Sequence, residues 1–100
     1  QFALDRDWEQ YHSPKILSVA LAVEAAELME IFQWVTPEES NNVANNPEVH
    51  SRLRAELADV LIYALRLADV ASIDPASAIE DKLKANAEKY PPGQGRHWSI

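Results

Sequence analysis

The sequence predicts an all-α domain of four helices, and three observations carry that prediction. Ser13, Asn46 and Asp74 each stand directly before a proline. Such residues are preferred helix N-caps, and proline suits the first helical position. The segments that follow hold no glycine or internal proline for at least fifteen residues and are rich in alanine, leucine and glutamate, which are good helix formers. Finally, the apolar/polar alternation of a strand survives nowhere for more than a few residues.

The first helix is predicted from Gln1 to Tyr11, with Phe2, Leu4, Trp8 and Tyr11 as its apolar residues, and stops near His12. Ser13-Pro14 opens a second helix that runs to about Val35, where Thr36-Pro37 ends it. A residue before proline avoids the helical region. From Thr36 to Asn46 the chain is polar and reads as a loop, with one turn after Pro37. Asn46-Pro47 starts a third helix reaching about Ala71, whose apolar stripe is Leu53, Leu57, Leu61, Ala64 and Ala68, widened by Val60 and Leu67. Asp74-Pro75 starts a fourth, through Ile79, Leu83 and Ala87 to about Lys89. Tyr90-Pro91-Pro92-Gly93 cannot continue it, so residues 91–100 read as an irregular tail. The two long helices share one connecting loop and are expected to be antiparallel neighbours. No internal boundary divides the chain, which reads as a single domain.

Composition narrows the function. A domain of 100 residues buries only about 60% of the surface of its unfolded chain, yet 47% of these residues are hydrophobic and several helices are apolar on more than one face. Burial against further copies of the same chain accommodates both facts, so an oligomer is expected. A net charge of −7 and a pI near 4.8 argue against nucleic acid, whose recognition needs a basic footprint. Without cysteine there is no disulfide, thiolate ligand or cysteine nucleophile. Glu24, Glu27 and Glu30 interrupt the only long apolar run, which excludes a membrane span, and no signal peptide is visible. A cytoplasmic protein is expected.

Those interrupting glutamates are the anomaly of the sequence. Glu24 and Glu27 stand three apart in the apolar run from Ile16 to Phe32, and residues so spaced are neighbours on a helix. Glu56 and Asp59 repeat the spacing on the third helix. No Lys or Arg lies between Lys15 and Arg52, and neither pair is followed at i+4 by a cation. At about 100° per residue, Leu17, Ala20, Glu24, Glu27, Ile31 and Trp34 share a face, as do Glu56, Asp59, Tyr63 and Arg66. If the faces meet, four carboxylates converge, a hard-oxygen donor set suited to Mg²⁺ or Mn²⁺. Most acidic residues are solvated, however, and on the residues alone a metal site and an acidic surface are both open readings. A ferritin-like di-iron site is set aside, because His12, His50 and His97 fall outside Glu-x-x-His spacing.

Glu24-x-x-Glu27 followed by Glu56-x-x-Asp59 resembles the signature of the MazG-like all-α nucleoside triphosphate pyrophosphohydrolases. Arg6-Asp7-Trp8-Glu9-Gln10-Tyr11-His12, Phe32-Gln33-Trp34, Ala58-Asp59-Val60-Leu61-Ile62-Tyr63 and Lys89-Tyr90-Pro91 extend the likeness toward the dCTP pyrophosphatase branch, over about residues 5–91. One departure is Ala26, where the family often has glycine. The resemblance implies a four-helix MazG-like bundle completed by oligomerisation, as a homotetramer built from two dimers. It implies Mg²⁺-dependent hydrolysis of a (deoxy)nucleoside triphosphate, dCTP-like, to monophosphate and pyrophosphate, in nucleotide-pool house-cleaning. Glu24, Glu27, Glu56 and Asp59 would be the metal ligands, with Mn²⁺ a possible substitute. Glu27 and Glu24 would be the catalytic residues, Glu27 being the first choice as proton acceptor. His12, Trp34, Tyr63 and Trp8 would line the base pocket; Lys82, Asn86 and Lys89 would face the phosphates. The alternative is a non-catalytic acidic helical bundle that binds a partner, metal or nucleotide.

Overall fold

A computed structural model of the protein describes residues 13–89. All its regular elements are helical: α1 (Pro14–Glu30), α2 (Pro37–Ser40), a 3₁₀ turn (Val43–Asn45), α3 (Pro47–Val70) and α4 (Pro75–Lys89). The first predicted helix and the tail after Lys89 lie outside the described residues. None of the described helices is long and apolar enough to cross a membrane.

The helix starts follow the caps read from the sequence. The Ser13 hydroxyl accepts the Ile16 N–H at 3.2 Å, and Asn46 Oδ1 accepts the Val49 N–H at 3.2 Å. Each contact satisfies one of the orphan donors of a first helical turn. The Thr36-Pro37 loop is more ordered than its composition predicts. Thr36 Oγ1 accepts the Glu39 N–H at 3.1 Å while the Glu39 carboxylate accepts the Thr36 N–H at 3.0 Å, a reciprocal capping box that opens α2.

The predicted end of the second helix is corrected. Helix α1 stops at Glu30, five residues short of Val35. Beyond it the N–H groups of Ile31, Phe32, Gln33 and Val35 donate to carbonyls three residues back, at 3.0–3.3 Å, so the chain tightens into turns. Bulky Ile31, Phe32, Trp34 and Val35 sit poorly in a helix, no glycine caps them, and Pro37 holds Thr36 extended at φ −76°, ψ 160°. Two residues past the end of α3, Ser72 turns into the left-handed region at φ 59°. There Ile73 N–H donates to Ala68 O at 2.8 Å and Ser72 N–H to Asp69 O at 3.2 Å, the paired bonds of a Schellman ending.

The principal packing joins α1 to α3. Leu17, 1% exposed, is the one buried apolar residue among those described, and Ala20, Leu21, Leu28 and Ile31 lie half-buried on its side of α1. On α3 the matching half-buried face is Val49, Leu53, Val60, Tyr63 and Leu67. The predicted α3 stripe is thus divided: Leu53, Val60, Ala64, Leu67 and Ala68 are half-buried, while Leu57 and Leu61 are exposed beside Leu65. Across the hairpin Ile16, Val19 and Val23 are exposed on α1, and Ile79 and Leu83 on α4. The hairpin has an apolar seam inside and apolar faces outside.

Candidate active site

The seam between α1 and α3 carries the acidic residues. Glu24 is half-buried, on the inward face with Leu17 and Leu28; Glu27 is exposed at its edge. Glu56 is half-buried on α3, between Leu53 and Val60. Carboxylate oxygens of Glu24, Glu27 and Glu56 all lie within 4.8 Å of one another. The helix spacing that makes Glu24 and Glu27 neighbours and the antiparallel seam that brings Glu56 to them are both needed for this. Asp59, also half-buried, falls outside that group of three but shares a hydrogen bond with Glu24.

Electrostatics shows what the group lacks. Desolvation raises the Glu24 carboxyl above its ordinary value of 4.5; the charges of Glu27, Asp59 and Glu56 push the same way, and so does the hydrogen bond to Asp59. Glu56 Oε1 is buried and has no hydrogen-bond partner. An orphaned buried oxygen is costly unless something fills its lone pairs. A hard divalent cation fits this donor set: it would take the orphaned oxygen and offset the mutual repulsion that raises Glu24.

The other predicted residues are distributed around the seam. Tyr63 is half-buried one turn after Asp59, on the same side of α3. Arg66 lies on that side too and is paired with Asp69 at 3.4 Å. Trp34 is 88% exposed, because α1 ends before it and the turns carry it away from the face it was expected to share. On α4, Lys82 and Lys89 are exposed and Asn86 is half-buried, and the helix adds no member to the carboxylate group. Trp8 and His12 lie outside the described residues. One feature escaped the sequence reading. A cavity of about 100 Å³ lies where the turns after α1 meet the capped loop, lined by Ile31, Phe32, Val35, Val43 and Val49. Val43, an apolar residue in an otherwise polar loop, is its only sequence signal.

Comparison with known proteins bears on the same seam. The MazG-like family model matches residues 19–99, which include all four acids, most of α1 and the whole of α3. The chain belongs to the MazG-like family. Among relatives of this MazG-like chain, dCTP pyrophosphatase 1 of Rattus norvegicus and that of Homo sapiens are each 42% identical over 91 residues, or 91% of the chain. The match spans 54% of each relative, so the chain covers about half their length. A solved structure of a pyrophosphatase from Archaeoglobus fulgidus superposes with a TM-score of 0.78 at 43% identity, covering 90% of this chain and 82% of that one. The helical hairpin described above is therefore a MazG-like fold.

Proposed function

We propose that this chain is the catalytic domain of a metal-dependent nucleoside triphosphate pyrophosphohydrolase with a dCTP-like substrate. The observation that carries the reading is the carboxylate group across α1 and α3, with an orphaned oxygen on Glu56 and a Glu24 carboxyl raised above its ordinary range by burial and its acidic neighbours. The names of the relatives support the substrate class. In this reading Glu24, Glu27, Glu56 and Asp59 hold the metal, Mg²⁺ by preference and Mn²⁺ as substitute. Bound there, the ion would neutralise charge on the α-phosphoryl group and orient water for in-line attack. Water oxygen bonds to the α-phosphorus as the α–β anhydride bond breaks, and pyrophosphate leaves. Glu27, the most exposed of the three clustered acids, has the access to solvent that a proton acceptor for that water requires. Glu24 adjoins it as the second catalytic carboxylate.

The base then lies against aromatic groups. Trp34 offers a nearly free indole face and Tyr63 stands one turn from Asp59; His12 and Trp8 are the further base-pocket residues that the family resemblance implies. Lys82, Asn86 and Lys89 supply donors to the phosphates. The exposed Ile16, Val19 and Val23 on α1 and Leu57, Leu61 and Leu65 on α3 support assembly with further copies, as a tetramer of two dimers in a cytoplasmic setting. Light scattering should give four chains per particle.

Pyrophosphate release from a panel of deoxynucleoside triphosphates with Mg²⁺ tests the activity. dCTP is expected to turn over fastest, and Glu27→Gln to abolish turnover with the assembly intact. A folded, assembled protein that releases pyrophosphate from none of them is a non-catalytic acidic bundle instead.

A further inference from the structure

The proposed site leaves a charge imbalance that one residue of α3 is placed to correct. A triphosphate brings about four negative charges to a group of four acids, more than one divalent cation together with Lys82 and Lys89 balances, so a further fixed cation nearby is favoured. The arginines of α3 are Arg52, Arg54 and Arg66. Arg54 precedes Leu57, Leu61 and Leu65 by three, seven and eleven residues and shares their exposed face, away from the seam. Arg66 is on the acidic side but is held by Asp69 at 3.4 Å. Arg52 stands one helical turn before Glu56, about 6 Å along the axis, and within about 20° of Asp59 around it. It is exposed and has neither a hydrogen bond nor an ion pair among the described residues. Glu48, a turn further back on the same side, is the other charge facing it on α3.

We propose that Arg52 is a phosphate-binding residue that engages the β- and γ-phosphates of the substrate beside the carboxylate group. The proposal rests on the metal–triphosphate reading of that group. A guanidinium fits the role because its planar fork of N–H donors matches phosphate oxygens, and it stays charged at every working pH. Its lack of a partner among the described residues fits as well: a guanidinium committed to Glu56 would have to be released before substrate could bind. The same positive charge opposes a metal ion in the empty site, so Arg52 favours loading of metal together with triphosphate over metal alone.

Two equilibrium measurements test this apart from turnover. The first is binding of Mn²⁺ alone, by calorimetry. The second is binding of the non-hydrolysable α,β-imido analogue of dCTP with Mg²⁺, set against dCMP. Arg52→Ala should tighten Mn²⁺ alone about fourfold at low salt, the Coulomb effect of one charge about 10 Å from a divalent ion in water. It should weaken the triphosphate analogue about 10- to 100-fold, as expected for a lost hydrogen bond to a charged group, and leave dCMP within about twofold. Arg52→Lys should restore most of the loss. Glu56→Gln serves as control. If that control loses Mn²⁺ while Arg52→Ala leaves all three affinities unchanged, the Arg52 role is refuted alone. If Glu56→Gln binds Mn²⁺ as the parent does, the metal reading fails and the Arg52 role with it. Equal weakening of dCMP and the analogue refutes the assignment to the β- and γ-phosphates.

Discussion

The raised Glu24 carboxyl sets a measurable coupling between pH, metal and stability. The Glu24 carboxyl titrates above its ordinary 4.5 in the folded chain. From 4.5 upward through that raised value, the folded state binds more protons than the unfolded one. Stability of the metal-free protein therefore falls as pH rises across this window. Metal reverses the sign, because it binds the deprotonated group and competes with the proton. Below the raised value, apparent metal affinity should drop about tenfold per pH unit, the limit for displacement of one proton. At neutral pH, Mn²⁺ at about 100 times its Kd should stabilise the fold by about 2.7 kcal/mol. At about 4–8 °C per kcal/mol for a domain of this size, that is a rise in Tm of about 10–20 °C. Thermal melts by circular dichroism, with and without Mn²⁺, from pH 4.5 to 7.5 at one protein concentration, read all of these. Glu56→Gln should cut the rise severely. A metal-induced rise that is the same at every pH, or undiminished in Glu56→Gln, would refute the reasoning.

Three further outcomes follow from the fold. Leu17→Ala removes the one fully buried apolar side chain described and should cost about 2–5 kcal/mol in urea unfolding, with an unchanged m-value. Ser72→Gly relieves a left-handed serine, a strain of about 1–2 kcal/mol offset by about 0.5–1 kcal/mol of added unfolded-chain entropy, so Tm should rise by a few degrees; a fall would show the strain is absent. Trp34→Ala should alter stability by less than about 0.5 kcal/mol, because the ring is 88% exposed, while quenching by dCTP of the remaining tryptophan fluorescence weakens.

Much of the fold was legible because helix starts are local events. Ser13, Thr36 and Asn46 each cap from within three residues, so a short window of sequence contains the whole interaction. The end of α1 was not legible to the same degree. Ile31 to Val35 hold no proline or glycine, and the competition between helix and tight turns there is decided by bulky side chains and by the capped loop that follows. Misplacing that end misplaced Trp34, since a face projected at about 100° per residue holds only while the helix lasts. The α3 stripe failed for another reason. Leu57 and Leu61 satisfy the helical period as well as Leu53 and Val60 do, and sequence alone cannot say which apolar side of an all-round apolar helix meets its neighbour. The acids were legible because they contradict their surroundings, and the orphaned Glu56 oxygen is the three-dimensional form of that contradiction.

The antiparallel seam also acts as a gauge. Two aliphatic helices can slip past one another by one turn, about 5.4 Å, and remake most of their contacts, since one leucine substitutes well for another. Carboxylates are not interchangeable with leucines. In the native alignment Glu24, Glu27 and Glu56 meet, an arrangement that is self-repelling without a cation and strongly favoured with one. A one-turn slip would separate Glu56 from Glu24 and Glu27 and break up the group. An ion bound across α1 and α3 would thus serve as a dowel between the two helices, selecting one alignment of an otherwise forgiving interface.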